Sequence, residues 1–161
     1  MAFDAFLKIT GVKGESTDAK HTNEIQVETF GFGVSNTGSA AGGGGGAGKT
    51  TTQDFSFAGG LTSAGPQLFL ACASGKHFPD AVLTVRRSGQ KDVEFYRLKF
   101  SDILISSYAE AGTAATDGVP LDHVTFNFAK LEISYTRQDA KGAAGETTTV
   151  GWDVKENRQL T

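Results

Sequence analysis

The segment Gly43-Gly44-Gly45-Gly46-Ala47-Gly48-Lys49-Thr50 fits the expression G-x-x-x-x-G-K-S/T. In that motif backbone N–H groups and a lysine cradle phosphates. The chemistry needs a buried strand before the loop and a helix N-terminus after it. Here Ser39-Ala40-Ala41-Gly42 comes before, and the alternating, β-branched run Thr50-Thr51-Thr52-Gln53-Asp54-Phe55-Ser56-Phe57 comes after. No apolar run ends in an aspartate that could hold magnesium. Gly43, Gly45 and Gly48 also satisfy G-x-G-x-x-G, which a glycine run matches cheaply. The segment therefore reads as the tip of a β-hairpin arm. A nucleotide hydrolase reading would require binding that is lost on Lys49→Ala.

Other reactive side chains are scattered. His21, His77 and His123 lie on different segments without metal-ligand spacing, and read as surface or helix-end residues. Cys72 sits among apolar neighbours as a small core residue, and no G-x-S-x-G elbow is present. Asp92 and Glu94, two apart on one strand, read as a solvated face. No catalytic residue, metal site or cofactor is expected, and the chain reads as non-enzymatic.

A different feature is more informative. In Thr29-Phe30-Gly31-Phe32-Gly33-Val34-Ser35, the residues Phe30, Phe32 and Val34 share one face of an extended strand. Thr29, Gly31 and Gly33 share the other, a smooth strip of small uncharged groups. Glycine within a strand often marks close approach of another backbone or a ligand. The strip reads either as a crowded corner of the fold or as a seam between subunits or channel wall.

The elements around these residues are strands. Period-two alternation runs through Phe3, Ala5, Leu7 and Ile9, through Ile25 and Val27, through Leu83 and Val85, and through Val150, Trp152 and Val154. Three long strands change phase: Ile25 and Val27 give way to Phe30 and Phe32, Val93 and Phe95 to Tyr96 and Leu98, Phe126 and Phe128 to Leu131 and Ile133. Each slip marks a bulge or a strand passing between sheets. Pro66 in a first turn and Gly75 as a left-handed stop bracket a single helix, about residues 63–74, with Leu68, Ala71 and Cys72 inward. Residues 35–49 form an extended Gly-rich loop, and residues 109–120 a small, polar one. The expected fold is mainly β: a compact antiparallel β-barrel or two-sheet sandwich with one short α-helix, as a single domain over 1–161.

Composition narrows the function further. The chain has 161 residues with 15 Lys+Arg, 18 Asp+Glu and a formal net charge of -3, and its lack of a basic tract argues against nucleic acid. No run approaches the ~18 apolar residues of a membrane span, so no membrane partner is expected. The start, Met1-Ala2-Phe3-Asp4-Ala5-Phe6-Leu7-Lys8, lacks the features of a secretory signal. One cysteine excludes an intrachain disulfide.

In order along the chain stand Asp4-Ala5-Phe6-Leu7-Lys8-Ile9, Gly14-Glu15-Ser16, His21, Glu24-Ile25 and Phe30-Gly31-Phe32-Gly33. Gly48-Lys49, Asp54-Phe55-Ser56-Phe57, Pro66-Gln67-Leu68, Ser74-Gly75-Lys76-His77, Val124-Thr125-Phe126 and Gly151-Trp152-Asp153 follow. This series resembles the haemolysin co-regulated protein (Hcp) family, the tube subunit of the bacterial type VI secretion system. It differs in carrying Phe30 and Phe32 where tryptophans are common, and Ala58-Gly59-Gly60 where charges often follow. The resemblance implies six-membered rings that stack into a tube. It implies effector cargo in the lumen, sheath and spike partners, and a cytoplasmic protein exported without a signal peptide. On that reading Thr29, Gly31 and Gly33 face the lumen. The loop with Ser39, Gly43, Gly46, Gly48 and Lys49 contacts the next ring. The alternatives are a tail-tube subunit of a phage-like contractile particle and a monomeric β-sandwich ligand-binding module.

Overall fold

The computed structural model of the chain describes residues 2–40, 48–88, 93–114 and 118–160. Its frame is a ribbon of two long strands, β8 (Glu94–Ala111) and β9 (Leu121–Gln138), paired antiparallel almost end to end. β7 (His77–Arg87) adds to β8, β1 (Phe3–Ile9) to β7, and β2 (Ile25–Val27) to β1. On the other side β9 carries two neighbours in succession. Its first half pairs with β6 (Phe55–Gly60), and its second half with β10 (Ala144–Asp153), which holds the short β11 (Arg158–Gln159). β3 (Thr29–Gly31) pairs with β6.

The chain thus wraps round a core without continuous closure. β2 and β3 are separated by Glu28 alone, whose N–H donates to the Ala58 carbonyl at 2.8 Å. The first phase change, from Ile25 and Val27 to Phe30, falls at this point, where the chain leaves β1 for β6. The second falls on a bulge: Val85 pairs with Tyr96 but Arg86 with Glu94, so Phe95 is the extra residue. The third is not a register slip. The β8–β9 register is unbroken from Ser101/Lys130 to Ile103/Phe128. Both strands turn over together there, and Asp102 adopts φ 53°, which an aspartate tolerates better than most side chains.

Helix α1 (Ala64–Ser74) packs Ala64, Leu68 and Ala71 inward, and Gly75 at φ 70° ends it as the sequence predicts. Cys72 is half-buried beside the core. At the centre, the fully buried Phe55 ring lies 4.8 Å from Phe100 and 5.0 Å from Phe126. Each ring buried this way contributes roughly 1.5–3 kcal/mol.

Alternation misleads at the N-terminus. Phe6, expected on the polar face of β1, is buried, whereas Phe3 is 44% exposed. The reason lies outside the strand: Phe6 stacks on His21 at 4.5 Å, and the Arg86 guanidinium lies 5.0 Å from its ring centre. His21 is therefore not a surface residue. It is buried, with Nδ1 3.0 Å from the Glu24 carboxylate and Nε2 2.8 Å from that of Glu94. These contacts tie the 12–24 segment to the sheet. Glu94 is consequently a partner of a buried group. Asp92 lies outside the described residues.

Candidate functional site

Register assembles a surface that no single strand shows. Gly31 of β3 stands opposite Ser56 of β6, Ser56 opposite Thr125 of β9, and Thr125 opposite Ser107 of β8. Two positions further along, Thr29 stands opposite Ala58, Ala58 opposite His123, and His123 opposite Ala109. Two rows of side chains, all small except His123, thus cross four adjacent strands and line one shallow concavity. Hydroxyls join the rows internally: Ser107 and Thr125 are 2.6 Å apart, and Ser56 Oγ donates to the Gly31 carbonyl at 3.3 Å. Apart from the His123 imidazole, the surface presents short groups with little to grip a particular ligand.

Of the strip proposed from sequence, the structure brings Thr29 and Gly31 into this wall. Gly33 lies beyond the end of β3, where its carbonyl accepts from Gln53 N–H at 2.8 Å. It lines a neighbouring groove at the fork where β6 and β10 part. That groove, about 540 Å³, is walled by Phe32, Phe128, Leu131, Trp152 and Val154. Trp152 Nε1 is buried there without a hydrogen-bond partner. Ser56, Ala58, Ser107, Ala109, His123 and Thr125 complete the wall and were missed in sequence. Their only signal was small or polar residues in alternation on separate strands, and pairing alone aligns them.

The Gly-rich segment leaves the fork as a two-stranded arm, β4 (Val34–Asn36) against β5 (Thr50–Thr52). Gly43 and Gly46 lie outside the described residues, and Ser39 is exposed. Gly48 is required by the close approach of the two limbs, since a Cβ there would come within 2.1 Å of Gly38 N. Lys49 is exposed, and its N–H donates to Thr37 Oγ1 at 3.0 Å. The residue after Lys49 begins a strand, so the helix N-terminus that a phosphate loop requires is missing from this segment.

Among the described residues no three His, Cys, Asp or Glu side chains converge as a metal site. His77 Nδ1 lies 3.1 Å from Asp102 at the end of α1, and His123 is exposed on the wall. No helix among the described residues is long and apolar enough to cross a membrane.

Comparison with known proteins agrees over nearly the whole chain. The family model described as type VI secretion system effector, Hcp, matches residues 6–135. The protein hcp1 of Pseudomonas aeruginosa is 42% identical over 162 residues, covering 99% of each chain. A solved structure of a type six secretion system protein matches with a TM-score of 0.92 at 28% identity, over 99% of this chain and 100% of that one. The crystal structure of Hcp1 from Salmonella typhimurium matches with a TM-score of 0.81 at 30% identity, over 99% and 100%. The chain belongs to the Hcp family of type VI secretion system proteins.

Proposed function

We propose that this chain is a structural tube subunit whose copies close into a hexameric ring with the β3–β6–β9–β8 wall facing the lumen. The rings stack into a tube that is cytoplasmic before firing and secreted afterwards, and the lumen carries and chaperones effector proteins. The observation that supports this is the wall and its edges. Among the described residues, no strand pairs with the outer edge of β3, or with the edge of β8 residues 105–111 that faces away from β9. An unpaired strand edge is a template for another chain, and joining two different edges generates a ring when the rotation closes. A lumen bounded by such seams would present Thr29, Gly31 and the small groups aligned with them. That surface suits cargo of varied shape.

The arm supplies the second contact. It leaves the body at the fork, and the described residues beyond it, 37–40, 48 and 49, are not part of the core. On this reading Ser39, Gly43, Gly46, Gly48 and Lys49 meet the next ring, with the ordering cost of a glycine-rich loop offset by contacts made there. Spike and sheath proteins of the apparatus are the remaining partners.

Light scattering on a sizing column, over a range of concentration, tests the reading. A species of roughly six times the 16.9 kDa protomer is expected. A strict monomer at high concentration would overturn it. That result would bring forward a monomeric ligand-binding module using the apolar groove at the fork.

A further inference from the structure

Tyr108 on β8 sits between two carboxyl groups. Its Oη is 2.5 Å from Glu110 Oε1 and 2.7 Å from Asp122 Oδ1. A phenol has one proton and two ionised carboxylates have none, so three groups in this arrangement cannot make both hydrogen bonds with the tyrosine proton alone. The second contact requires a carboxyl that is itself protonated and donates to the phenolic oxygen. We propose that Tyr108, Glu110 and Asp122 together hold one proton beyond the tyrosine's own, and that this proton latches the end of the β8–β9 ribbon against helix α1.

Burial assigns the proton to Asp122. Asp122 is 6% exposed, with Oδ2 close under Gly65 in the first turn of α1, whereas Glu110 is exposed to water. Both contacts fall within the range of short O–H···O hydrogen bonds. The proton order is therefore Asp122 O–H to Tyr108 Oη, and Tyr108 Oη–H to Glu110. Burial raises the Asp122 carboxyl above its ordinary range, and the Glu110 charge adds to this. A hydrogen bond donated by Tyr108 (the arrangement available to an ionised Asp122) and the charge of His123 act the other way.

The neighbouring elements bring few other charges. The first turn of α1 carries no acidic residue, and Gly59 and Gly60 of β6 are uncharged. The Phe69 ring of α1 packs edge-on to Tyr108 with centroids 6.1 Å apart, so the cluster, whose hydrogen bonds lie within the ribbon, reaches the helix through this ring contact and its place under Gly65. When the shared proton leaves, two carboxylates face one donor. The buried one then loses its partner or draws water under the helix. Tyr108 lies within residues 105–111, the free edge assigned above to a subunit seam. That consequence for assembly rests on the ring reading, whereas the latch itself does not.

The test follows the carbonyl stretch of protonated carboxyl groups by infrared spectroscopy across pH, on the full chain and on Asp122→Asn. The band lost in the variant belongs to Asp122. It is expected to persist above the ordinary aspartate midpoint of about 3.9, after the exposed carboxyls have ionised. Glu110→Gln should bring that midpoint down, because an amide beside Tyr108 removes the need for the extra proton. Disappearance of the Asp122 band together with the other carboxyls would overturn the proposal, as would a midpoint indifferent to Glu110→Gln.

Thermal melting gives an independent arm. A raised carboxyl stabilises the fold below the unfolded midpoint and loses that contribution as pH rises through the folded one. The wild type should therefore lose melting temperature relative to Asp122→Asn across that window, and parallel curves would count against the latch. Neither readout requires rings, so failure of the ring reading and failure of the latch are distinguishable.

Discussion

The β8–β9 ribbon borders two surfaces of opposite character. On the wall side, Gly31, Ser56, Thr125 and Ser107 form one cross-strand row and Thr29, Ala58, His123 and Ala109 another. Across β1, β7, β8 and β9, the corresponding row reads Lys8, Val82, Lys99 and Glu132. A polar groove beside it adds Asp80, Glu94 and Arg97. Val82 separates the two lysines, and Lys99 faces an opposite charge in Glu132, so the charged row avoids like-charge neighbours on its own strands. Both surfaces rest on the same aromatic core. What distinguishes them is the length and charge of the side chains facing solvent. One surface offers specific handles to a partner, and the other withholds them.

The shared core is where the comparison breaks most completely. Phe55 lies on β6 and touches the rings of Phe100 on β8 and Phe126 on β9. Phe55→Ala should cost about 4 kcal/mol, the range for large-to-small changes at fully buried aromatics. It should loosen wall and charged face together, visible as one cooperative loss in urea denaturation. A loss confined to one face by hydrogen exchange would show that the two sheets are energetically separate.

The charged side has a break of its own. Arg86 is buried among Asp18, Asp4 and the Phe6 ring. The hydrogen bond from Arg86 holds the Asp18 carboxyl down at about 2. A depressed carboxyl contributes stability above its unfolded midpoint and loses it as pH falls through the folded value. The melting temperature should therefore fall between about pH 4 and pH 2, and Asp18→Asn should flatten that limb while lowering stability at neutral pH. An unchanged acid limb would remove Asp18 from the account. Assembly through the wall should be insensitive to this change at neutral pH.

The wall should answer differently, with function lost and stability kept. A Cβ at Gly31 would meet only Ser56 Oγ, at an ordinary 3.7 Å, so Gly31→Phe has room to fold with its ring standing out from the wall. Stability should change by under ~1 kcal/mol, as for most surface substitutions. Ring closure or effector retention should fall, read by light scattering and co-purification. Unaltered assembly and retention would sink the lumen assignment. Deleting the arm should separate two further properties: rings should persist on a sizing column while stacking, seen by electron microscopy, is lost. Normal stacking without the arm would overturn its assignment.

Much of this architecture was legible because strands announce their faces locally. The phase change after Val27 and the one at Phe95 are visible in alternation and correspond to a crossing and a bulge. Pro66 and Gly75 bracket the helix for reasons within one turn of the backbone. Phe6 was not legible, because what buries it is His21 from a loop and Arg86 from β7. Nor was the sharing of one edge of β9 between β6 and β10, on which both the fork and Gly33's place outside the wall depend. The proton count at Tyr108 likewise required Asp122, fourteen residues away, to be brought opposite by a hairpin. Local pattern reveals which residues share a face, and only pairing reveals which faces share a surface.

The smallest expected effect lies at the turning point of the ribbon, where Asp102 combines φ 53° with contacts to His77 and Lys155. The His77 hydrogen bond, and then that of Lys155, lower its carboxyl, but all three side chains are well exposed. Water screens such pairs, so Lys155→Ala should cost no more than ~0.5 kcal/mol. Asp102→Asn keeps a side chain that tolerates the left-handed region and should cost similarly little. Asp102→Ala loses that tolerance and should cost about 1 kcal/mol more than the asparagine variant. Urea midpoints of the three variants separate charge from backbone. Equal losses for Asn and Ala would mean that charge alone matters at Asp102. A larger loss for Ala would show that backbone conformation turns β8 and β9 over together, and so joins the charged surface to the wall.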